Sequence, residues 1–338
     1  MSFMRQEAEA SAAAVRDCLA QREMFAAIAT RLRTLDPALV VVCARGSSGH
    51  AGTFLRYLLS RDLGVVAAAA MPSIASLYHR QQRLRGALFI AISQSGRSPD
   101  LIVATELARE AGALTLALVN DAASPLAATA ELVLTTAAGA ERSVAATKTV
   151  LASLAAGLAL AQAWTGDPAL AEALVRLPAR LEAACRLDWS PLTAEIGRVS
   201  RMFTVGRGPG LAIASEAALK LAETTGVAGL AYSSAELPHG PRALAGPDFP
   251  VLGFIQADAG QLGTAALLAD LASRGTGVFA AGEAGAGITR LPTVPPEHPD
   301  TDLLPMLVSF YLAAEQAAQA RGRDPDHPPG LRKVTQTT

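Results

Sequence analysis

Leu39-Val40-Val41-Val42-Cys43-Ala44 runs directly into Arg45-Gly46-Ser47-Ser48-Gly49. The first stretch is continuously apolar and mostly β-branched, as in a strand buried on both faces of a parallel sheet. The second is a small polar turn, after which a helix is expected from His50 to Arg61. The same unit returns at Ala87 to Ile92, a second buried strand that ends in Ser93-Gln94-Ser95-Gly96-Arg97-Ser98. Pro99 and Asp100 then open a helix to Glu110, since proline suits a first helical turn. A strand near Val65 to Ala70, a helix near Ile74 to Arg83, and strands at Ala113 to Val119 and Glu131 to Thr135 complete a βαβ array.

Around this array, Arg5 to about Leu35 reads as one or two leading helices, and Thr147 to Trp164 and Ala169 to Arg186 as two more. The pattern then restarts. Arg201 to Gly210 echoes Val40 to Gly49, Pro250 to Gln256 echoes Ala87 to Gln94, and Gly277 to Ala281 echoes Ala113 to Val119, which points to an internal duplication. A proline-rich segment, Leu291 to Pro299, precedes a last helix at Leu303 to Arg321 and an irregular tail. The expected fold class is α/β with two lobes, each a doubly wound parallel sheet flanked by helices. The expected division is a helical segment 1–34, a first lobe 35–190, a second lobe 191–325 and a tail 326–338.

The 338 residues are 51% hydrophobic but only 4% aromatic, so the core is expected to pack Ala, Leu and Val. A formal net charge of −1 supplies no general footprint for nucleic acid or anionic membranes, so an anion must be held by local groups. Cys18, Cys43 and Cys185 are odd in number and widely spaced, which suggests reduced, buried thiols rather than disulfides or zinc ligands. His50 is read as a helix-start residue, His79, His298 and His327 show no metal spacing, and no metal or cofactor is expected. The apolar runs are shorter than a membrane span, so a cytoplasmic location is the default expectation.

In doubly wound sheets ligands sit at the carboxyl ends of strands. Both polar turns of the first lobe fall there, each beside a helix N-terminus with free N–H groups. Ser47 and Ser48, with Ser93, Gln94, Ser95 and Ser98, are therefore candidates to surround a phosphate. Either turn alone would be unremarkable, because Ser and Gly are common turn residues, but two at neighbouring strand ends carry more weight. Glu216, Lys220 and Glu223 follow at spacings of four and three and share one helix face. That pattern suits either a surface ion-pair ladder or a carboxylate base with an arranged lysine. Thr147 and Lys148 are read as ligand-binding groups or a helix start rather than as chemical groups, and Asp100 and Glu141 as capping or turn residues.

Ser93-Gln-Ser-Gly-Arg-Ser98 resembles the phosphosugar loop of sugar isomerase (SIS) domains. Ala138-Gly-Ala-Glu-Arg-Ser-Val-Ala-Ala-Thr-Lys148, Ser215 to Glu223, Ala235-Glu-Leu-Pro-His-Gly-Pro241 and Leu331-Arg-Lys333 are similar, in order and spacing, to the isomerase half of glucosamine 6-phosphate synthase. The resemblance covers essentially the whole chain and implies two SIS lobes with a C-terminal tail over the active site. It assigns Glu223 as the proton shuttle, Lys220 and Glu216 as groups arranging the site, and His239 as the ring-opening acid and base. It also assigns Lys333 as the amine that reaches the sugar carbonyl, with a Schiff base to the open ketose as its further role, and places Val144 and Ala146 against the substrate. It implies a homodimer in which His239 is donated across the interface. Two departures stand out: Pro238 occupies a position where the synthase pattern typically carries lysine, and the tail reads Arg332-Lys-Val-Thr where the synthase shows Ala-Lys-Ser-Val.

No glutaminase half precedes the first lobe in this sequence, which shifts the expectation from glutamine-dependent synthesis to a stand-alone deaminase. The expected reaction converts glucosamine 6-phosphate and water to fructose 6-phosphate and ammonia, reversibly, and mass action favours deamination. The alternatives are a fructosamine 6-phosphate deglycase, another sugar phosphate isomerase, or a non-catalytic sugar phosphate sensor. A DNA-binding regulator is disfavoured because no helix-turn-helix with a basic face is apparent.

Overall fold

The computed structural model describes residues 1–333; positions 334–338 of the expected tail lie outside the described residues. Two fully parallel five-stranded sheets form. The first contains β1 (Leu39–Ala44), β2 (Val66–Ala69), β3 (Leu88–Ser93), β4 (Leu114–Val119) and β5 (Leu132–Thr135), in the order β2-β1-β3-β4-β5. The second contains β6 (Arg201–Gly206), β7 (Ala228–Ser233), β8 (Val251–Phe254), β9 (Val278–Ala281) and β10 (Thr289–Leu291), in the order β10-β9-β8-β6-β7. Read from the other edge, the second order is the first repeated strand for strand. The α/β class read from the sequence is the class observed.

Packing divides the chain into two compact units that differ from simple consecutive halves. Among the described residues one comprises 13–141, 148–174 and 332–333, and carries β1–β5; the other comprises 1–12, 142–147 and 175–331, and carries β6–β10. In the first, β3 and β4 are buried along their whole length, and their side chains pack with Leu101, Ala104, Ala108 and Leu126 from the helices Pro99–Glu110 and Pro125–Thr129. In the second, Phe203 stacks on Phe249 at 4.1 Å within a core that includes Val251, Leu268 and Val278.

Several elements differ from expectation. Three leading helices form, Phe3–Glu9, Ser11–Leu19 and Arg22–Leu35, rather than one or two. The break before Arg22 coincides with a tertiary bond: the Gln21 amide donates to the Thr135 carbonyl at 2.9 Å. The helix expected over 74–83 is only Pro72–Ser76, because the polar run Arg80-Gln-Gln-Arg83 offers no apolar face and His79 turns left-handed at φ 51°. The helix expected from His50 begins at Gly46, which places Ser47 and Ser48 in its first turn. Strands β7 and β10 had no sequence expectation; β7 is half exposed and β10 has three residues, and both lie at sheet edges.

Asp326 in the tail is buried and accepts from the Phe3 and Met4 amides, each at 2.7 Å, which caps the first helix. Buried Glu7 on that helix accepts from the amides of Arg142 and Ser143, so residues 142–147 belong to the β6–β10 unit. Gly206, at the end of β6, has no room for a side chain: a Cβ would lie 2.2 Å from the Gly210 carbonyl oxygen. The obstructing atoms are all backbone, so no rotamer relieves the clash. Gly206→Ala is expected to cost at least about 1–3 kcal/mol, read as a fall in the midpoint of urea unfolding; an unchanged midpoint contradicts this tight turn.

Candidate active site

In the β1–β5 unit, strand order reverses direction between β1 and β3, and this is the switch point where parallel sheets open a crevice at their carboxyl ends. Pairing of Ala44 with Ile92 brings the ends of the two strands side by side. The two polar turns are therefore neighbours, as their sequence positions implied. Ser47 and Ser48 are half-buried in the first turn of the Gly46–Leu63 helix, and Ser98 precedes the Pro99–Glu110 helix without using its hydroxyl as a cap. The side chains of Ser48, Gln94 and Ser98 make no hydrogen bond with any described residue, so their polar groups remain available to a ligand. Ser93 and Ser95 instead shape the loop: Ser93 Oγ accepts from the Gly96 amide at 3.1 Å and Ser95 Oγ from the Arg97 amide at 3.3 Å. Gly96 has φ 61°, and a Cβ there would meet Ser124 Oγ at 2.2 Å.

Asp100 does more than the capping or turn role expected of it. It is fully buried and its Oδ2 takes both Nε and Nη2 of Arg45 at 2.9 Å, tying the exit of β1 to the helix that follows β3. Glu141 likewise is more than a turn residue. Its buried carboxylate accepts from the Thr149 amide and hydroxyl, and Lys333 Nζ lies 4.0 Å from its Oε2. Lys148 begins the helix Lys148–Thr165, and its ammonium donates to the Ala140 carbonyl at 2.6 Å.

In the β6–β10 unit, Val144 and Ala146 are half-buried, and the Val144 amide is engaged by the Asp326 carbonyl at 3.3 Å. The Gly206 turn leads into the helix Gly210–Lys220, which passes into a single π-helical stretch, Leu221–Thr225. The Thr224 and Thr225 hydroxyls donate back to the Lys220 and Leu221 carbonyls at 2.7 and 2.6 Å, and Gly226 ends the helix at φ 68°. Such π turns are common at functional sites. This one carries Glu223.

Glu216, Lys220 and Glu223 do converge. Lys220 Nζ lies 3.2 Å from Glu216 Oε1 and 2.6 Å from Glu223 Oε2. Lys220 and Glu216 are sealed from solvent, whereas the Glu223 side chain is 20% exposed. The surface-ladder reading is therefore excluded by burial. Tyr311, on the last helix Pro299–Ala320, donates to Glu216 Oε1 at 3.1 Å; no sequence signal marked this residue. Burial alone pulls the Lys220 pKa down, but the charges of Glu216 and Glu223 and their hydrogen bonds outweigh it and hold the pKa above the ordinary lysine value. The result is a carboxylate at the solvent margin, backed by a fixed positive charge.

His239 ends a short 3₁₀ turn, Leu237–His239, anchored by buried Leu237, and its ring is exposed. Its amide donates to the Glu236 carbonyl at 3.0 Å, but its imidazole makes no hydrogen bond or ion pair with Glu223 or any other described residue. Cys18 and Cys43 are buried as expected and Cys185 only partly; burial pushes the thiols of Cys18 and Cys43 up to about 12 and that of Cys185 to about 11. No cluster of His, Cys, Asp and Glu among the described residues suits a metal ion, and none of their helices is long and apolar enough to cross a membrane.

A family profile described as SIS domain matches residues 38–163. The crystal structure of a putative phosphosugar isomerase from Silicibacter pomeroyi DSS-3 is 43% identical in sequence and superposes with a TM-score of 0.92, covering 96% of this chain and all of that one. Glutamine–fructose-6-phosphate aminotransferase (isomerizing) of Thermotoga maritima is 33% identical over 319 residues, covering 89% of this chain and 52% of that protein. The chain thus spans about half the length of the curated relatives it matches. Glucosamine-6-phosphate deaminase of Thermotoga maritima shares the fold, with a TM-score of 0.75 at 21% identity, covering 97% of this chain and all of that one.

Replacing Lys220 by Met would leave Glu216 buried without its counter-charge. A loss of about 3–5 kcal/mol in urea unfolding near neutral pH is expected. Because the Lys220 pKa is raised by folding, its contribution is complete below the ordinary lysine value and disappears as pH climbs through the raised one. The wild type should therefore show an alkaline loss of stability that the Met variant lacks; identical alkaline profiles would contradict the pairing.

Proposed function

The chain belongs to the SIS-domain family of phosphosugar isomerases, and on that premise we propose that it interconverts glucosamine 6-phosphate and fructose 6-phosphate plus ammonia. The observation that carries this reading is the Glu216–Lys220–Glu223 cluster. Aldose–ketose interconversion moves a proton between neighbouring carbons and requires a base that returns what it removes. Glu223, partly exposed and hydrogen-bonded to a buried ammonium, has that character. The strand order of the second sheet, identical to that of the first, supports reading it as a second SIS-type lobe.

In the proposed reaction the phosphate is held by Ser47, Ser48 and the Ser93–Ser98 turn, through hydroxyls, the Gln94 amide and helix N-termini. His239 moves a proton from the anomeric hydroxyl to the ring oxygen and so opens the ring. Glu223 removes the C2 proton of the open aldose to form an enolamine, then delivers a proton to C1 and leaves an imine at C2. Water adds to that imine and ammonia departs, giving the ketose. Lys333 is the amine proposed to approach the ketose carbonyl, with Glu141 holding its charge in the free state. Sequence likeness to aminotransferases whose names join fructose 6-phosphate to isomerisation supports this substrate pair. A deglycase would use the same groups on a fructosamine 6-phosphate.

Two experiments test this. Purified protein incubated with glucosamine 6-phosphate should release ammonia, and Glu223→Gln should lower the rate roughly 10²–10⁴-fold while binding is retained. Binding of the sugar phosphate with no turnover by the wild type points instead to a sensor. The exposed His239, whose imidazole makes no hydrogen bond among the described residues, supports donation across a homodimer. Mixing inactive Glu223→Gln and His239→Ala chains should then restore about a quarter of wild-type activity, because random pairing leaves that share of sites intact. No recovery in verified mixed dimers assigns both groups to one chain.

A further inference from the structure

The β6–β10 unit has an open cavity of about 530 Å³ lined by Gly197, Arg198, Val199, Ser200, Arg321 and Arg323. Val199 and Ser200 immediately precede β6, so the cavity lies at the amino edge of this sheet, away from the Gly206 turn at its carboxyl end. Its volume falls within the roughly 300–1,000 Å³ range of small-molecule sites.

The three arginines are not equivalent. Arg198 is neutralised by Glu195, which takes Nε and Nη2 at 2.7 Å each. Arg321 spends Nη1 on the carbonyls of Ile196, Gly197 and Val199 at 2.9–3.0 Å, completing the end of the helix Ser190–Arg198. Its charge meets no carboxylate among the described residues, and its buried Nε has no partner. Arg323 is exposed and its guanidinium makes no hydrogen bond or ion pair among the described residues. The neighbouring Asp324 does not answer it, being paired with His327 at 2.8 Å. Two guanidinium groups thus face one cavity with their charge unmet, an arrangement that suits fork-to-oxygen binding of phosphate groups.

We propose that this cavity binds a small metabolite carrying a diphosphate group, independently of the phosphosugar turns, and that occupancy is felt by the turn carrying Glu223. The link is Arg323. Its guanidinium lies against Gly226, where an added Cβ would sit 2.3 Å from Arg323 Cζ, and Gly226 closes the π turn Leu221–Thr225. A ligand that engages Arg323 therefore acts on the side chain packed over that turn.

Inorganic pyrophosphate titrated calorimetrically into the full chain at constant ionic strength is the direct test. One saturable site per chain is expected, with affinity at least about tenfold weaker in Arg323→Ala and intermediate in Arg323→Lys. It should be retained in Ser95→Ala, which alters the other candidate anion site. Matching thermal melts without ligand separate lost binding from lost fold, and the lysine variant serves if the alanine one unfolds. Absence of saturable binding, unchanged affinity in Arg323→Ala, or loss in Ser95→Ala overturns the site. Pyrophosphate should also slow amide exchange over residues 221–226 in the wild type and not in Arg323→Ala; unchanged exchange in the wild type overturns the link to Glu223.

Discussion

An ammonium group without access to water must carry its counter-charges with it, and Lys220 does. Its two carboxylates come from its own helix, one turn before it and less than one turn after it. This requirement shapes much around it. Glu216 is sealed and also accepts from Tyr311, so the cluster is tied to the last helix of the unit. Glu223 stays at the solvent margin because the π turn, ended by Gly226, holds it there. Stability and the proposed chemistry thus rest on the same three side chains, and a buried pair of this kind is costly to break from either end.

The β1–β5 unit, in the proposed function, meets a different demand, that of holding an anion with few cations. Parallel strands that reverse their order at β1 and β3 deliver two helix N-termini and two hydroxyl-bearing turns to neighbouring strand ends. Ser93, Ser95 and the left-handed Gly96 spend their bonds on the loop itself, leaving Ser48, Gln94 and Ser98 for a ligand. The pairing of Arg45 with the buried Asp100 carboxylate ties the two turns together. Loop shape and ligand contact are divided among residues that a single motif presents as alike.

Much of this was legible in the linear chain. Strands β1, β3, β4, β6, β8 and β9 announced themselves as short apolar runs because both faces of each are buried, so no alternation diluted the signal. The edge strands β7 and β10 did not, since half-exposed or three-residue strands have no such pattern. The convergence of Glu216, Lys220 and Glu223 followed from helical spacing alone. Their burial did not, because an exposed ladder has the same spacing.

Local sequence therefore determined the α/β class, the two anion-type turns and the carboxylate–lysine–carboxylate face, since each depends on periodicity or on residues adjacent in the chain. Only the tertiary structure decided that Lys220 is sealed, that Tyr311 and Arg45 join the polar clusters, that Asp326 caps the first helix and that segment 142–147 belongs to the β6–β10 unit. Those contacts join residues from 55 to over 300 positions apart. Burial and long-range hydrogen bonding are properties of the packed chain, and no local pattern encodes which distant donor will reach which acceptor.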